Sequence, residues 1–340
     1  MEALSSTPAE IIGDPAWFPD NVDFNRNTFG FVHTTREALS RQSFLDARWD
    51  RAALARMDIP IPTVLSATQG FPRPKLNFIW HTAFCCSTLI SRCLDSAGEN
   101  LALKEPQLLI LLAEAKRAGH LTQRSGALDA AFKLLACRHH ARESVLIKPT
   151  NAVNNLIPEA TRATDGRMLF LYSDCKSFLI SIIKKGEMGR IFARKLFGLF
   201  AADGHAQAQW PMQALFELSD LQVAALVWHM QMAEFRRNRE ASQAIGLNCD
   251  DFLAKPRETL SRLNDFFDLN FSEARLDAIT AGPLLSQNAK DISQSFSAKR
   301  RAAEAGDIEK SLGDELDIVV EWSFRACPET PRENPLGATL

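Results

Sequence analysis

The stretch FIWHTAFCCSTLISRCLD, residues 78–95, decides the reading of the fold. An apolar run ends at His81-Thr82, a string of small residues follows (Cys85-Cys86-Ser87-Thr88), and apolar residues recur at Leu89, Ile90, Cys93 and Leu94. The first run reads as a buried strand and the later spacing as one face of a helix. The segment is therefore expected to be a strand, a tight loop and a helix that opens on hydroxyls. Backbone N–H groups in the first turn of a helix lack intrahelical partners and, with the positive end of the dipole, favour an anion. Ser87 and Thr88 add hydroxyl donors, a set that suits a phosphate or a sulfate. Ser and Thr also cap helices with no ligand present, so the same letters fit a plain connection between core elements. The signature GxxxxGK[ST] is absent, since neither lysine nor glycine occurs between His81 and Asp95, which argues against ordinary ATP or GTP hydrolysis. A helix N-terminus lowers a thiol pKa, so Cys85 and Cys86 are candidates for reactivity, with small buried core residues as the plainer alternative.

Outward from this segment, strands alternate with helices. Strand patterns fall at 76–80, at NLALKEP (100–106), at SVLIKPTN (144–151) and at RMLFLYSD (167–174), while AIGLNCDDFLAKPRETLSRLNDFFDL (244–269) reads as a short strand, a loop and a helix. Helical patterns cover 107–119, 127–142, 176–200 and LQVAALVWHMQMAEFRR (221–237), where Val223, Leu226, Val227, Met230 and Ala233 share a face and Trp228 and Met230 read as core. This order predicts a helix-rich α/β fold, three layers with a mainly parallel central sheet, and ligands beyond the polar carboxyl ends of its strands. Residues 1–70 read as an N-terminal extension packing on the main domain, helical around 35–57; 71–330 form that domain and 331–340 a tail.

Composition narrows the partners. A net charge of −2 over 340 residues carries no polyanion signature, so nucleic acid is not expected and any anion site must be local. No apolar run approaches the ~20 residues of a membrane helix, and the first residues carry no basic, then apolar, leader. The 7 cysteines are irregularly spaced with no CxxC pair, which suggests reduced thiols, a cytoplasmic location and no metal. Asp250-Asp251 could be a metal pair, with a capping or loop role as the simpler reading. The oligomeric state is not legible.

Taken together, HTAFCCSTLISRCLD, LALKEP, VLIKPTN, MLFLYSDCKSFLIS and LNCDDFLAKPRETLSRLNDFFDL, in this order over residues 76–326, resemble the sulfotransferase family, above all its bacterial branch. The resemblance implies a P-loop-type fold, 3′-phosphoadenosine 5′-phosphosulfate (PAPS) as sulfuryl donor, no metal, and a small acceptor bearing a hydroxyl or amine. It implies donor contacts at Thr82, Cys85, Cys86, Ser87 and Thr88 for the 5′ end, and at Ser173 and Ser181 for the 3′-phosphate. Phe84 stands where the family has its loop lysine, Cys86 at its glycine, Ser173 at its 3′-phosphate arginine and Cys175 at its usual proline.

With those cations replaced, others must meet the charge of the donor. Lys148 at a strand end, Lys184, Lys185, Arg190 and Arg194 in the basic stretch, and Lys290, Arg300 and Arg301 near the segment that closes over the nucleotide in the family are the candidates; solvated helix faces would look the same. Sulfuryl transfer requires in-line positioning, stabilisation of the leaving phosphate and a base for the acceptor. Glu105, at a strand end before Pro106, is the candidate base, with helix capping as its alternative; His81 is the second candidate, with a structural hydrogen bond as its own. Three functions therefore remain open: a sulfotransferase, a catalytically degenerate relative that binds an anion or a partner, and an atypical kinase.

Overall fold

A computed structural model describes residues 7–121, 126–286, 298–337 and 340. Among these, eight strands form two sheets. Strands β1 (Trp17–Asp23), β2 (Thr28–His33) and β3 (Arg56–Pro60) make an antiparallel sheet in the order β1-β2-β3. Strands β4 (Leu76–His81), β5 (Asn100–Lys104), β6 (Ser144–Lys148), β7 (Met168–Tyr172) and β8 (Ile245–Asn248) make the larger sheet in the order β5-β6-β4-β7-β8. The pairs β4–β6, β5–β6 and β7–β8 are parallel. Every residue of β4, β5 and β7 is buried, as expected of parallel strands covered on both faces. The expected helix-rich α/β architecture is present. Among the described residues no helix is long and apolar enough to cross a membrane.

The chain divides into two compact units. The first holds the residues up to Ile79, Ser91–Arg167 and Asn264–Phe271. Here the expected N-terminal helix at 35–57 is largely absent: only Arg36–Arg41 is helical. The buried Arg51 guanidinium explains the difference. It donates to the carbonyl oxygens of Leu45, Asp46 and Trp49 and to Asp20 Oδ1, so these carbonyls are satisfied by a side chain rather than by helical N–H groups. Asp46 and Asp50 accept from the N–H groups two residues on, which favours turns. Helices Gln107–Arg117 and Ala127–Leu135 follow, both shorter than the sequence pattern suggests.

The second unit holds Trp80–Ile90, Met168–Leu263 and Ser272–Leu340. The helical stretch expected over 176–200 is two helices, Cys175–Lys184 and Gly186–Ala202, separated where Gly186 takes a φ of 55°. Helix Asp220–Ser242 starts at a capping box, with Ser219 Oγ accepting from the Gln222 N–H and Gln222 Oε1 accepting from the Ser219 N–H. Its buried residues include Trp228 and Met230, as expected, and Phe235 stacks on Phe170 of β7 at 4.6 Å.

Candidate functional site

The loop between β4 and helix Ser87–Cys93 folds as an unusual turn. Ala83, Phe84 and Cys86 have φ of 71°, 55° and 60°, the left-handed region that glycine occupies cheaply and other residues at about 1–2 kcal/mol each. Alternation of right- and left-handed residues turns successive N–H groups into a concavity suited to an anion. The surroundings hold this conformation in place. The Ala83 N–H donates to His81 Nδ1 at 3.0 Å, the Thr82 N–H donates to Leu171 O at 3.1 Å, and the Cys85 thiol donates to the same carbonyl at 3.6 Å. Phe84 packs against Phe178 and Phe192, with ring centroids 5.9 and 5.5 Å away, so an aromatic anchor occupies the position where the resemblance has a lysine.

The polar groups at this loop fall into two sets. Thr82 and Ser87 are buried, and Thr82 Oγ1 lies 3.5 Å from Ala83 O. Thr88 Oγ1 is buried and makes no hydrogen bond among the described residues, and the same holds for Ser173 Oγ just beyond β7. An orphaned buried hydroxyl loses its water without recompense, at about 1–3 kcal/mol, unless a ligand or water meets it. Ser181 Oγ, by contrast, donates to Ser177 O at 3.0 Å within its own helix.

Among the described candidate cations in this unit, Arg301 is the one found at the loop. It lies on helix Ala298–Ala326, and its NH1 donates to Cys86 Sγ at 2.9 Å. Burial works against its charge, but the neighbouring Cys86, Cys249 and Asp250 raise its pKa overall. Lys184, Arg190, Arg194 and Arg300 are paired at the surface. Arg300 is exposed and binds Glu304, which also takes Lys184, while Arg190 and Arg194 share Asp220. Lys290 lies outside the described residues. Asp250 and Asp251 occupy the first turn of helix Cys249–Ala254, which Asn248 caps. Burial first, then the charge of Asp250, pushes the Asp174 carboxyl up.

The first unit holds Glu105 and Lys148. Glu105 has a φ of 56° and its N–H donates to Lys148 O at 2.7 Å. Its Oε1 takes the buried Lys148 ammonium and its Oε2 takes Arg48 NH2 at 2.8 Å. Arg48 in turn lies over the Phe44 ring at 3.4 Å and binds Asp46. Lys148 is therefore engaged by a carboxylate, and each oxygen of the Glu105 carboxylate meets a cation, that on Oε2 being Arg48, whose side chain is 55% exposed. His81 uses its Nδ1 lone pair on Ala83, the structural alternative for this residue. Arg48 and Phe44 meet Glu105 and Lys148 from a distant segment without a local motif, and Cys249, inside the LNCDDFL stretch, carries no signal of its own in the sequence.

No family model and no curated protein matches the chain. Among solved structures it is similar to sulfotransferases. The sulfotransferase domain from the curacin biosynthetic pathway is 16% identical, with 71% of this chain and 98% of that one covered and a TM-score of 0.42. Sulfotransferase STF9 from Mycobacterium avium is 13% identical over 74% and 79% of the two chains, with a TM-score of 0.40. The sulfotransferase domain from the Synechococcus PCC 7002 olefin synthase is 11% identical over 70% and 95%, with a TM-score of 0.38.

Proposed function

We propose that the chain is a sulfotransferase-type protein whose loop 82–88 takes the anionic 5′ end of PAPS and whose reaction delivers the sulfuryl group to a hydroxyl or amine of a small acceptor. One observation carries the reading: the left-handed loop presents an orphaned, buried Thr88 hydroxyl and is met by a guanidinium, that of Arg301. Ser173 Oγ, a further orphan in this unit, suits another acceptor group of the same ligand. The order of motifs along the sequence supplies the choice of sulfuryl over phosphoryl chemistry.

In this reading the N–H groups of the loop beyond Ala83 and the Thr88 hydroxyl bind and orient the anion, and Arg301 balances its charge. The donor supplies the activated sulfuryl group. Phe84 excludes water from its side of the loop through Phe178 and Phe192.

A second reading, binding without transfer, draws on Phe84 in place of a cation and on Asp174 and Asp250 beside Asn248, an unfavourable setting for a polyanion. Calorimetric titration with 3′-phosphoadenosine 5′-phosphate, against ATP with magnesium, tests the proposal. Micromolar binding of the bisphosphate alone is expected, weakened at least about tenfold in Arg301→Gln, the loss of one charge-assisted contact. Absence of binding by either nucleotide overturns it; bisphosphate binding without turnover in an acceptor screen selects the second reading.

A further inference from the structure

The second unit brings two thiols onto one guanidinium. Cys86 lies in the loop and Cys249 at the start of helix Cys249–Ala254. Arg301 reaches both, with NH1 donating to Cys86 Sγ at 2.9 Å and NH2 donating to Cys249 Sγ at 3.5 Å. Asp250 completes the group: its Oδ1 accepts from the Cys249 thiol at 3.6 Å and lies 3.7 Å from Arg301.

The two sulfurs are not equivalent. The neighbouring Cys249 thiol, and then the charge of Arg301, hold the Cys86 thiol below its ordinary range against the effect of burial. The Cys86 neighbour, together with burial, pushes Cys249 well above it. Burial also pushes Cys93, Cys175 and Cys327 up to about 12 and Cys137 up to about 11. Access follows the same order, since Cys86 is partly exposed while Cys249 is fully buried behind it. An accessible sulfur beside a cation, with a second thiol in contact, is the arrangement that peroxide oxidation selects.

We propose that Cys86 and Cys249 form an oxidation site, with Cys86 as the peroxide-attacking sulfur and Cys249 as the thiol that resolves it into an intramolecular disulfide. In the first step the Cys86 thiolate attacks a peroxide oxygen. The O–O bond breaks, hydroxide leaves and takes a proton as water, and Cys86 becomes a sulfenic acid. In the second step the Cys249 sulfur attacks the sulfenic sulfur, so that the S–S bond forms and the S–O bond breaks. The Cys249 proton passes through Asp250 Oδ1 to the departing hydroxide, which leaves as water. The cysteine pair loses two electrons and the peroxide gains them. This chemistry requires no nucleotide and stands whichever anion the loop accepts.

The test treats the reduced full-length chain with hydrogen peroxide, blocks the remaining thiols with N-ethylmaleimide and maps the unreduced peptides by mass spectrometry. A linked Cys86–Cys249 peptide pair is expected first, with Cys93, Cys137, Cys175 and Cys327 still alkylated. Cys249→Ser is expected to accumulate a Cys86 sulfenic acid that dimedone traps, and Arg301→Gln to slow Cys86 oxidation about tenfold, the thiolate lost per unit rise in pKa. Oxidation of Cys137 at the rate of Cys86, a different disulfide, or a Cys86 that stays reduced overturns the proposal. The wild-type map decides alone if a variant fails to fold.

Discussion

Glu105 and Lys148 show how a residue can be singled out by sequence while its partner stays hidden. Both stand at strand ends, and both were expected to face a ligand. Across 43 residues of sequence they instead bind each other, and Arg48 joins from 57 residues away. No local pattern encodes such separations; they follow from β5 and β6 lying parallel with Lys104 opposite Lys148. The side chain of Lys148 is 1% exposed, so removing its partner strands a charge in the interior. Glu105→Gln is expected to lower stability by about 3–5 kcal/mol, the usual result of breaking a buried pair from one side, and Lys148→Met by less, because Arg48 still meets the Glu105 carboxylate. The double variant should lose less than the two singles combined, because no unpaired charge remains at that position. Urea denaturation of the four proteins measures the coupling, and additive losses would show that the pair does not act as a unit. The loop hydroxyls Ser87 and Thr88 stand out in the sequence because they sit at a strand–helix junction, where capping and anion binding call for the same letters. The Arg301 contact was legible only as one of several cations near the right end of the chain.

At the scale of elements, the five strands of the parallel sheet could be read because each is a short apolar run bounded by polar or turn residues. β1, β2 and β3 could not. β1 contains Pro19, Asp20 and Asn21, β2 is interrupted by Gly30, and β3 is Arg56-Met57-Asp58-Ile59-Pro60, all poor strand formers. Their pairing is sustained by the burial of Phe29 and Phe31 on β2 and Ile59 on β3. The predicted helix at 35–57 failed for a tertiary reason, the capture of its carbonyls by Arg51. A different backbone demand appears where β7 begins. A Cβ on Gly166 would lie 1.6 Å from Leu76 O and 2.8 Å from Asn77 N, so only glycine lets the chain pass the start of β4. Asn77 fixes the approach by accepting from the Arg167 N–H at 2.9 Å and donating to Phe267 O at 3.2 Å. Gly166→Ala is therefore expected to cost more than the ~1–3 kcal/mol typical of overpacking, because backbone rather than a side chain must move. Gly13→Ala, where nothing lies within 4 Å, is the control and should leave the urea midpoint nearly unchanged. Equal midpoints for the two variants would show that β4 can shift at little cost.

For the whole molecule, a net charge of −2 concealed how charge is distributed. The basic stretch at 184–194 is real in sequence, yet Lys184, Arg190 and Arg194 are matched by Glu304 and Asp220. Exposed pairs of this kind contribute about 0–1 kcal/mol each and leave stability to respond to pH mainly through buried groups. The clearest is His229. It is fully buried, its Nε2 lies 3.1 Å from Ser323 Oγ, and the rings of Trp228 and Phe324 flank it at 5.0 and 4.9 Å. Burial pulls its pKa from 6.5 down to about 4. Between these values the unfolded chain takes up a proton that the folded chain refuses. Unfolding is thus favoured as pH falls, and the contribution of this histidine declines by about 3 kcal/mol from pH 7 to the region of its folded pKa. Asp20 and Asp174 act in the opposite direction, since burial raises their pKa values and the folded state binds those protons more readily than the unfolded state. The raw pH profile therefore mixes signs, and only a difference isolates the histidine. His229→Gln keeps a polar group for Ser323 and removes the titration. Its stability relative to wild type, from urea unfolding at a series of pH values, should improve steadily as pH falls below 6.5 and level off near 4. Parallel profiles for the two proteins would mean that His229 gains a proton without unfolding, and that water reaches a position the packing of Trp228 and Phe324 is expected to keep dry.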